Sequence, residues 1–201
     1  MDKITFNILL LGDSSVGKTS LMIRFTDNKF DLDSNATIGI EFKDKEIQIN
    51  NKDIILHILD TAGQEKYKSI TKNFIRMGDG IIFVFDLSNK DSFDNIKDWL
   101  ITTDAANENY QRILVGNKCD LPDKKISKER IEKLSQKYNM EYFETSAKEN
   151  INVDLIFNKI AELVLSSPKG KEIEQEVNKK NANLKIHLNK SKKKNSCCNK
   201  K

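Results

Sequence analysis

Short apolar runs alternate along the chain with stretches whose apolar residues return every three or four positions. Ile4 to Leu11 reads as a strand that runs into a glycine-containing turn. Ile40 to Ile49 and Asp53 to Asp60 read as two strands joined by the turn-prone Asn50-Asn51-Lys52. Gly80 to Asp86, Arg112 to Asn117 and Met140 to Thr145 are further strand candidates, rich in β-branched or aromatic residues. Between them Phe93, Ile96, Trp99 and Leu100 fall on one helical face, as do Ile131, Leu134 and Tyr138. The clearest helix comes last: Asn152 stands at a capping position, and Val153, Ile156, Phe157, Ile160, Leu163 and Val164 form one stripe. Each stripe is assigned to core packing.

Strands that alternate with helices imply right-handed crossovers and a mostly parallel sheet covered on both faces. The early hairpin adds one antiparallel edge strand. The expected fold is therefore α/β, a six-stranded, mostly parallel sheet with one antiparallel strand and helices on both faces. In such sheets ligands bind beyond the carboxyl ends of the strands. The apolar periodicity stops after Pro168, which divides the chain into a domain at 1–168 and a tail at 169–201. The tail is rich in Lys and Asn, has no Phe, Tyr or Trp, and is expected to be disordered; a short helix through Ile173 and Val177 is the local alternative.

Composition sharpens that division. The total charge is +4, but 11 lysines and 3 glutamates from Lys169 onward give the tail +8 and leave −4 on residues 1–168. The picture is a mildly acidic globule with a basic tail. A chain of 201 residues buries enough core to fold without metals or disulfides. With Cys119 far from adjacent Cys197 and Cys198, and no apolar leader, the expected setting is reducing and cytosolic. The longest apolar runs, Ile8 to Leu11 and Ile81 to Phe85, are too short to span a bilayer, and His57 and His187 stand apart.

The chemistry lies just after the strands. Gly12-Asp13-Ser14-Ser15-Val16-Gly17-Lys18-Thr19 fits G-x-x-x-x-G-K-[ST] at every fixed position, between a strand and a helix. Glycines let the backbone fold around phosphate oxygens, and successive N–H groups with the helix N-terminus supply positive potential. Lys18 adds a full charge near the β- and γ-phosphates, and the Thr19 hydroxyl suits Mg²⁺. Asp60, at the end of its strand and followed by Thr-Ala-Gly-Gln, is placed to hold the same ion through water.

Asn117-Lys118-Cys119-Asp120 chooses the base. Guanine presents an N1–H and an exocyclic amine on one edge, and the two oxygens of Asp120 can accept both. Adenine has no such donor pair, and a site built on buried hydrogen bonds rejects an analogue that lacks them. Asn117 is expected to tie this loop to the phosphate loop, and Lys118 to cover the base face. Ser146-Ala147-Lys148 follows another strand, with a backbone N–H available to the guanine carbonyl.

Taken together, GDSSVGKT, ATIGIEF, LDTAGQEKY, NKCD and ETSAK occur in the order and spacing of small GTPases, and residues 3 to about 166 resemble the Ras superfamily. Ile38-Gly39-Ile40-Glu41-Phe42-Lys43, Gln64-Glu65-Lys66-Tyr67, Phe74-Ile75-Arg76 and Phe85-Asp86-Leu87-Ser88 are similar to the Rab family within it. The resemblance implies a P-loop G domain binding GTP or GDP with Mg²⁺, in which the stretch from Gly12 through Ser20 surrounds the phosphates. It implies that Thr37 meets Mg²⁺ and the γ-phosphate, that the Gly63 N–H senses the same phosphate, that Gln64 orients the attacking water, and that Phe30 packs on the base edge. Ile38, Gly39, Phe42, Leu59 and Phe74 would form the effector surface. Leu59 departs from the family, which usually carries tryptophan there, so no particular effector is transferred. Phosphoryl transfer asks for positioning and charge stabilisation, and no cis arginine stands in an active-site motif. Slow hydrolysis, accelerated in trans by an activating protein, is expected.

The resemblance also gives the tail a reading. Cys197-Cys198 with three residues after them is similar to the doubly geranylgeranylated ends of Rab proteins, and CNKK lacks the aliphatic pair of CaaX. Two lipids anchor stably where one does not, and Lys190, Lys192, Lys193 and Lys194 would each add about 1 kcal/mol at an anionic leaflet. The expected protein is a monomer that moves between the cytoplasm and the cytosolic face of an intracellular membrane. Its implied partners are an exchange factor, an activating protein, a GDP-dissociation inhibitor, prenylation escort machinery and effectors, with no nucleic acid. A non-hydrolysing guanine-nucleotide scaffold is the alternative, and a P-loop kinase or ATPase the third reading.

Overall fold

The computed structural model describes residues 2–31, 40–61, 68–107 and 109–197. In chain order the strands are β1 (Ile4–Leu11), β2 (Ile40–Ile49), β3 (Lys52–Thr61), β4 (Gly80–Asp86), β5 (Gln111–Asn117) and β6 (Glu141–Glu144). The helices are α1 (Lys18–Asp27), α2 (Lys68–Met77), α3 (Lys90–Asp94), α4 (Ile96–Asp104), α5 (Lys128–Lys137), α6 (Val153–Ser166) and α7 (Pro168–Cys197). The strands form one sheet in the order β2-β3-β1-β4-β5-β6, parallel except for β2, which runs antiparallel to β3 at the edge.

Side-chain alternation explains why the sheet is buried on both sides. Ile8 and Leu10 of β1, Ile82 and Val84 of β4, and Ile113 and Val115 of β5 join Leu21, Met22 and Phe25 of α1 and Ile156, Phe157 and Ile160 of α6. Phe25 and Phe157 stack with ring centroids 4.2 Å apart. The intervening residues Leu9, Leu11, Phe83, Phe85 and Leu114 belong to the opposite core, with Phe93, Ile96, Trp99, Ile131 and Leu134. Every residue of β4 is buried. The β2–β3 hairpin closes through Asn50 and Asn51 at φ 50° and 61°, the left-handed pair that matches strand twist in a two-residue turn.

Three expectations need correction. The stripe Phe93 to Leu100 is broken at Asn95, which ends α3 and begins α4. Asn152 stands at the start of α6 but does not cap it; its side-chain amide donates to the Glu144 carbonyl at 2.8 Å, because the residue adopts φ 57°. The backbone beyond Pro168 is helical through Cys197, where composition argued for disorder. Its root is held down. Lys169 pairs with Asp79 at 2.7 Å, Glu174 with Lys52 at 2.6 Å, Ile173 and Val177 pack on the core, and Asn181 exchanges hydrogen bonds with Asp2. These contacts lie by the amino ends of β1, β3 and β4. The motifs lie at the carboxyl ends, so tail and site occupy opposite poles.

Candidate nucleotide site

The phosphate loop leaves β1 at Gly12 and enters α1 at Lys18. Gly12 has φ 147°, and a Cβ there would meet the Val84 carbonyl at 2.0 Å; Gly17 has φ 94°, and its Cβ would lie 2.4 Å from Asn117 Nδ2. Only glycine meets both demands, torsional and steric. Ser14 and Ser15 are exposed at the loop mouth, Val16 is buried and Ser20 is half-buried.

Lys18 is folded back into this loop. It is 5% exposed, and its Nζ donates to the Gly12 and Asp13 carbonyls at 2.9 and 2.7 Å. Burial lowers its pKa to about 8, against the opposing pull of Asp60 and Asp13. The Asp13 carboxylate is directed at α4: Oδ2 accepts from Asn95 Nδ2 at 2.7 Å and Oδ1 from Trp99 Nε1 at 3.0 Å.

Thr19 Oγ1 donates to Asp60 Oδ2 at 2.5 Å, bringing α1 and the end of β3 together. A hydroxyl whose proton goes to a carboxylate has the polarity a metal-ligating hydroxyl needs, and hard oxygens suit Mg²⁺. Among the described residues no group of three or more His, Cys, Asp or Glu gathers to hold a metal.

The segment from Asn117 to Asp120 is clamped to the loop between Gly12 and Lys18. Asn117 Nδ2 donates to the Val16 carbonyl at 2.9 Å while its Oδ1 accepts from Thr145 Oγ1 at 3.1 Å. Lys118 Nζ reaches the Ser15 carbonyl at 2.8 Å and Asp86 at 2.8 Å. Burial pushes the Asp86 carboxyl up, but hydrogen bonds from Lys118 and Ser88 outweigh it, and the net shift is downward. Asp120 is half-buried in the turn after β5. Ser146 and Ala147 are buried and Lys148 is exposed. Arg24 of α1 fixes their loop, donating to the Ala147 and Lys148 carbonyls at 2.8 and 3.1 Å, and its guanidinium lies 5.9 Å from the Phe30 ring.

Arg24, Asn95 and Trp99 thus brace the candidate site from outside the sequence motifs, while Asp86 and Thr145 stand within quoted motifs that gave them no role of their own. The one available sign was position: Asp86 ends β4 opposite Asn117. Thr37, Ile38, Gly39, Gly63, Gln64 and Cys198 lie outside the described residues, and Cys197 ends α7. On the remaining surface Phe42 is 46% exposed, stacks on His57 at 5.5 Å and lies 5.9 Å from Phe74. Leu59, expected beside them at the surface, is instead 0% exposed. Cross-strand pairing sets it opposite Phe42, and it joins the buried cluster of Leu9, Leu11 and Ile75.

Comparison with known proteins agrees with this geometry. Residues 7–166 match the Ras family model. The chain is 43% identical to Ras-related protein Rab-10 of Diplobatis ommata over 86% of its own length and 88% of the relative's. It is 45% identical to Ras-related protein Rab-10 of Caenorhabditis elegans, with 80% and 81% covered. It is 44% identical to Ras-related protein Rab-13 of Mesocricetus auratus, with 83% of each covered. A family match over residues 7–166, with relatives 43–45% identical over most of both chains, places the chain in the Rab family of Ras-type small GTPases.

Proposed function

We propose that this Rab-family chain grips guanine nucleotide with the constellation described above and, through a lipidated tail, works on intracellular membranes. As a Rab-family member it is a GTPase, a GTP-hydrolysing switch of vesicular traffic that acts with regulators and effectors. The observation that carries the residue-level reading is the Asn117–Val16 hydrogen bond, which joins base reader and phosphate loop.

In this reading the amides from Gly12 to Ser20 and the Lys18 ammonium hold the phosphates, Asp120 accepts from the guanine edge, Lys118 covers its face, and Ser146, Ala147 and Lys148 close the far side with Phe30. Lys18 exchanges its two carbonyl partners for phosphate oxygens, whose negative charge favours the ammonium form of this buried amine. Thr19, Asp60 and Thr37 would hold Mg²⁺, which supplies charge neutralisation at the β- and γ-phosphates. Gln64 orients the water, and Gly63 and Thr37 report the γ-phosphate to the surface formed by Ile38, Gly39, Phe42 and Phe74.

Residues 1–168 form the G domain and 169–201 the targeting tail, with Cys197 and Cys198 prenylated. The expected regulators are an exchange factor, an activating protein, a GDP-dissociation inhibitor and prenylation escort machinery, serving a monomer that returns to the cytosol between cycles. The test is nucleotide content after purification with Mg²⁺, alongside single-turnover hydrolysis. Wild type should carry GDP or GTP, and Asp120→Ala should lose guanine preference by several orders of magnitude. Empty wild-type protein, or unchanged preference in Asp120→Ala, would defeat the assignment.

A further inference from the structure

Asp13 places a carboxylate inside the loop read as the triphosphate cradle, where like charge opposes the ligand. Its two oxygens are each engaged by a neutral donor on one neighbouring element, Asn95 Nδ2 at 2.7 Å and Trp99 Nε1 at 3.0 Å. The α3–α4 break supplies this geometry. Asn95 occupies the shared cap position at φ −73° and ψ −13°, and its side chain caps neither helix. Its amide is committed to Asp13 across 82 residues instead. Trp99 lies one helical turn further on the same face. Its ring is buried in the core with Phe93 and Leu100, a job a phenylalanine could do, while its indole N–H points to Asp13.

We propose that Asn95 and Trp99 are positioning residues of the nucleotide site: by holding the Asp13 carboxylate against α4 they fix the loop that grips phosphate. The Asp13 carbonyl accepts from Lys18 Nζ at 2.7 Å, so a loop that turns at Asp13 also displaces the phosphate-binding cation. This inference rests on the reading of Gly12 to Thr19 as the phosphate site.

The experiment is release of a fluorescent GDP analogue from the full chain with Mg²⁺ present. Trp99→Phe keeps the ring and removes the donor, and release should be about tenfold faster. Asn95 is exposed, so Asn95→Ala should fold normally and release a few-fold faster. Asp13→Ala combined with Trp99→Phe should release no faster than Asp13→Ala alone, because both remove one shared contact; a purely structural role for the ring would multiply the two effects. A wild-type release rate in either single variant removes that residue from the proposal, and multiplying effects overturn the bridge. Should Trp99→Phe fail to fold, Asn95→Ala decides the matter alone. Wild-type protein that holds no guanine nucleotide would bring down the site reading and this inference together, whereas tight wild-type binding with indifferent variants overturns only the inference.

Discussion

The side-chain amide of Asn117 donates to the carbonyl of Val16 at 2.9 Å across 101 residues of sequence, and through Oδ1 it also holds Thr145. One buried amide therefore ties the phosphate loop, the end of β5 and the strand end before Ser146 into a single body.

Replacing Asn117 with alanine leaves a buried carbonyl and a buried hydroxyl without this partner. Nucleotide affinity should fall at least tenfold, and unfolding free energy should drop by about 1–3 kcal/mol. Equilibrium binding and urea titration check both. An unchanged urea midpoint would show that the clamp bears no weight in the fold.

The Asp86–Lys118 pair predicts an acid dependence. Folded Asp86 has a pKa below its ordinary 3.8, so its contribution to stability is complete above that value and is lost as pH falls through the folded one. Asp86→Asn should flatten the acid limb of the stability curve below about pH 4 and raise nucleotide release by freeing Lys118. A variant that tracks wild type through the acid range would remove this pair from the stability account.

Leu59 and Phe42 face each other across β2 and β3 with opposite exposure, 0% and 46%. Leu59→Ala opens a cavity and should destabilise by about 2–5 kcal/mol, whereas Phe42→Ala should cost less than about 1.5 kcal/mol and act mainly on effector capture. Denaturant midpoints compare the two directly. Equal losses would mean that Leu59 is less enclosed than its burial indicates.

Lys169 meets a carboxylate, Asp79, that is only 4% exposed and also accepts from the Asn7 N–H. Lys169→Met should destabilise by about 1–3 kcal/mol, because Asp79 stays buried with a partner missing. Amide hydrogen exchange at residues 170–181 should quicken in step. Full protection in the variant would show that Ile173 and Val177 seat the helix unaided.

Cys197→Ser with Cys198→Ser should leave nucleotide binding unchanged and move the full chain from membranes to the soluble fraction. Fractionation of cells expressing both versions reads this. A double variant that still sediments with membranes would refute the lipid anchor.

The sheet was legible because its strands are apolar runs bounded by turn residues; Gly80–Asp86 emerges with the same limits from pattern and from structure. The phosphate loop was legible because its chemistry is local, eight consecutive residues from Gly12 to Thr19. Its bracing was not. Asp13–Asn95 and Arg24–Ala147 join residues 82 and 123 positions apart, and nothing near Trp99 distinguishes a core ring from a hydrogen-bond donor. The tail helix escaped because composition averages over a segment, whereas Lys169, Ile173 and Val177, spaced one turn apart, decide where it sits. Leu59 escaped because exposure at a strand position depends on what crosses above it.

The root of α7 turns the end of this chain into a boom. From Asn181, its last described clasp on the globule, to Cys197 the helix runs 16 residues, roughly 24 Å at about 1.5 Å per residue. Two ion pairs, at Asp79 and at Lys52, step this spar on the globule. The spar is stepped at the pole opposite Asn117 and Asp120, so its footing leaves that other pole uncovered.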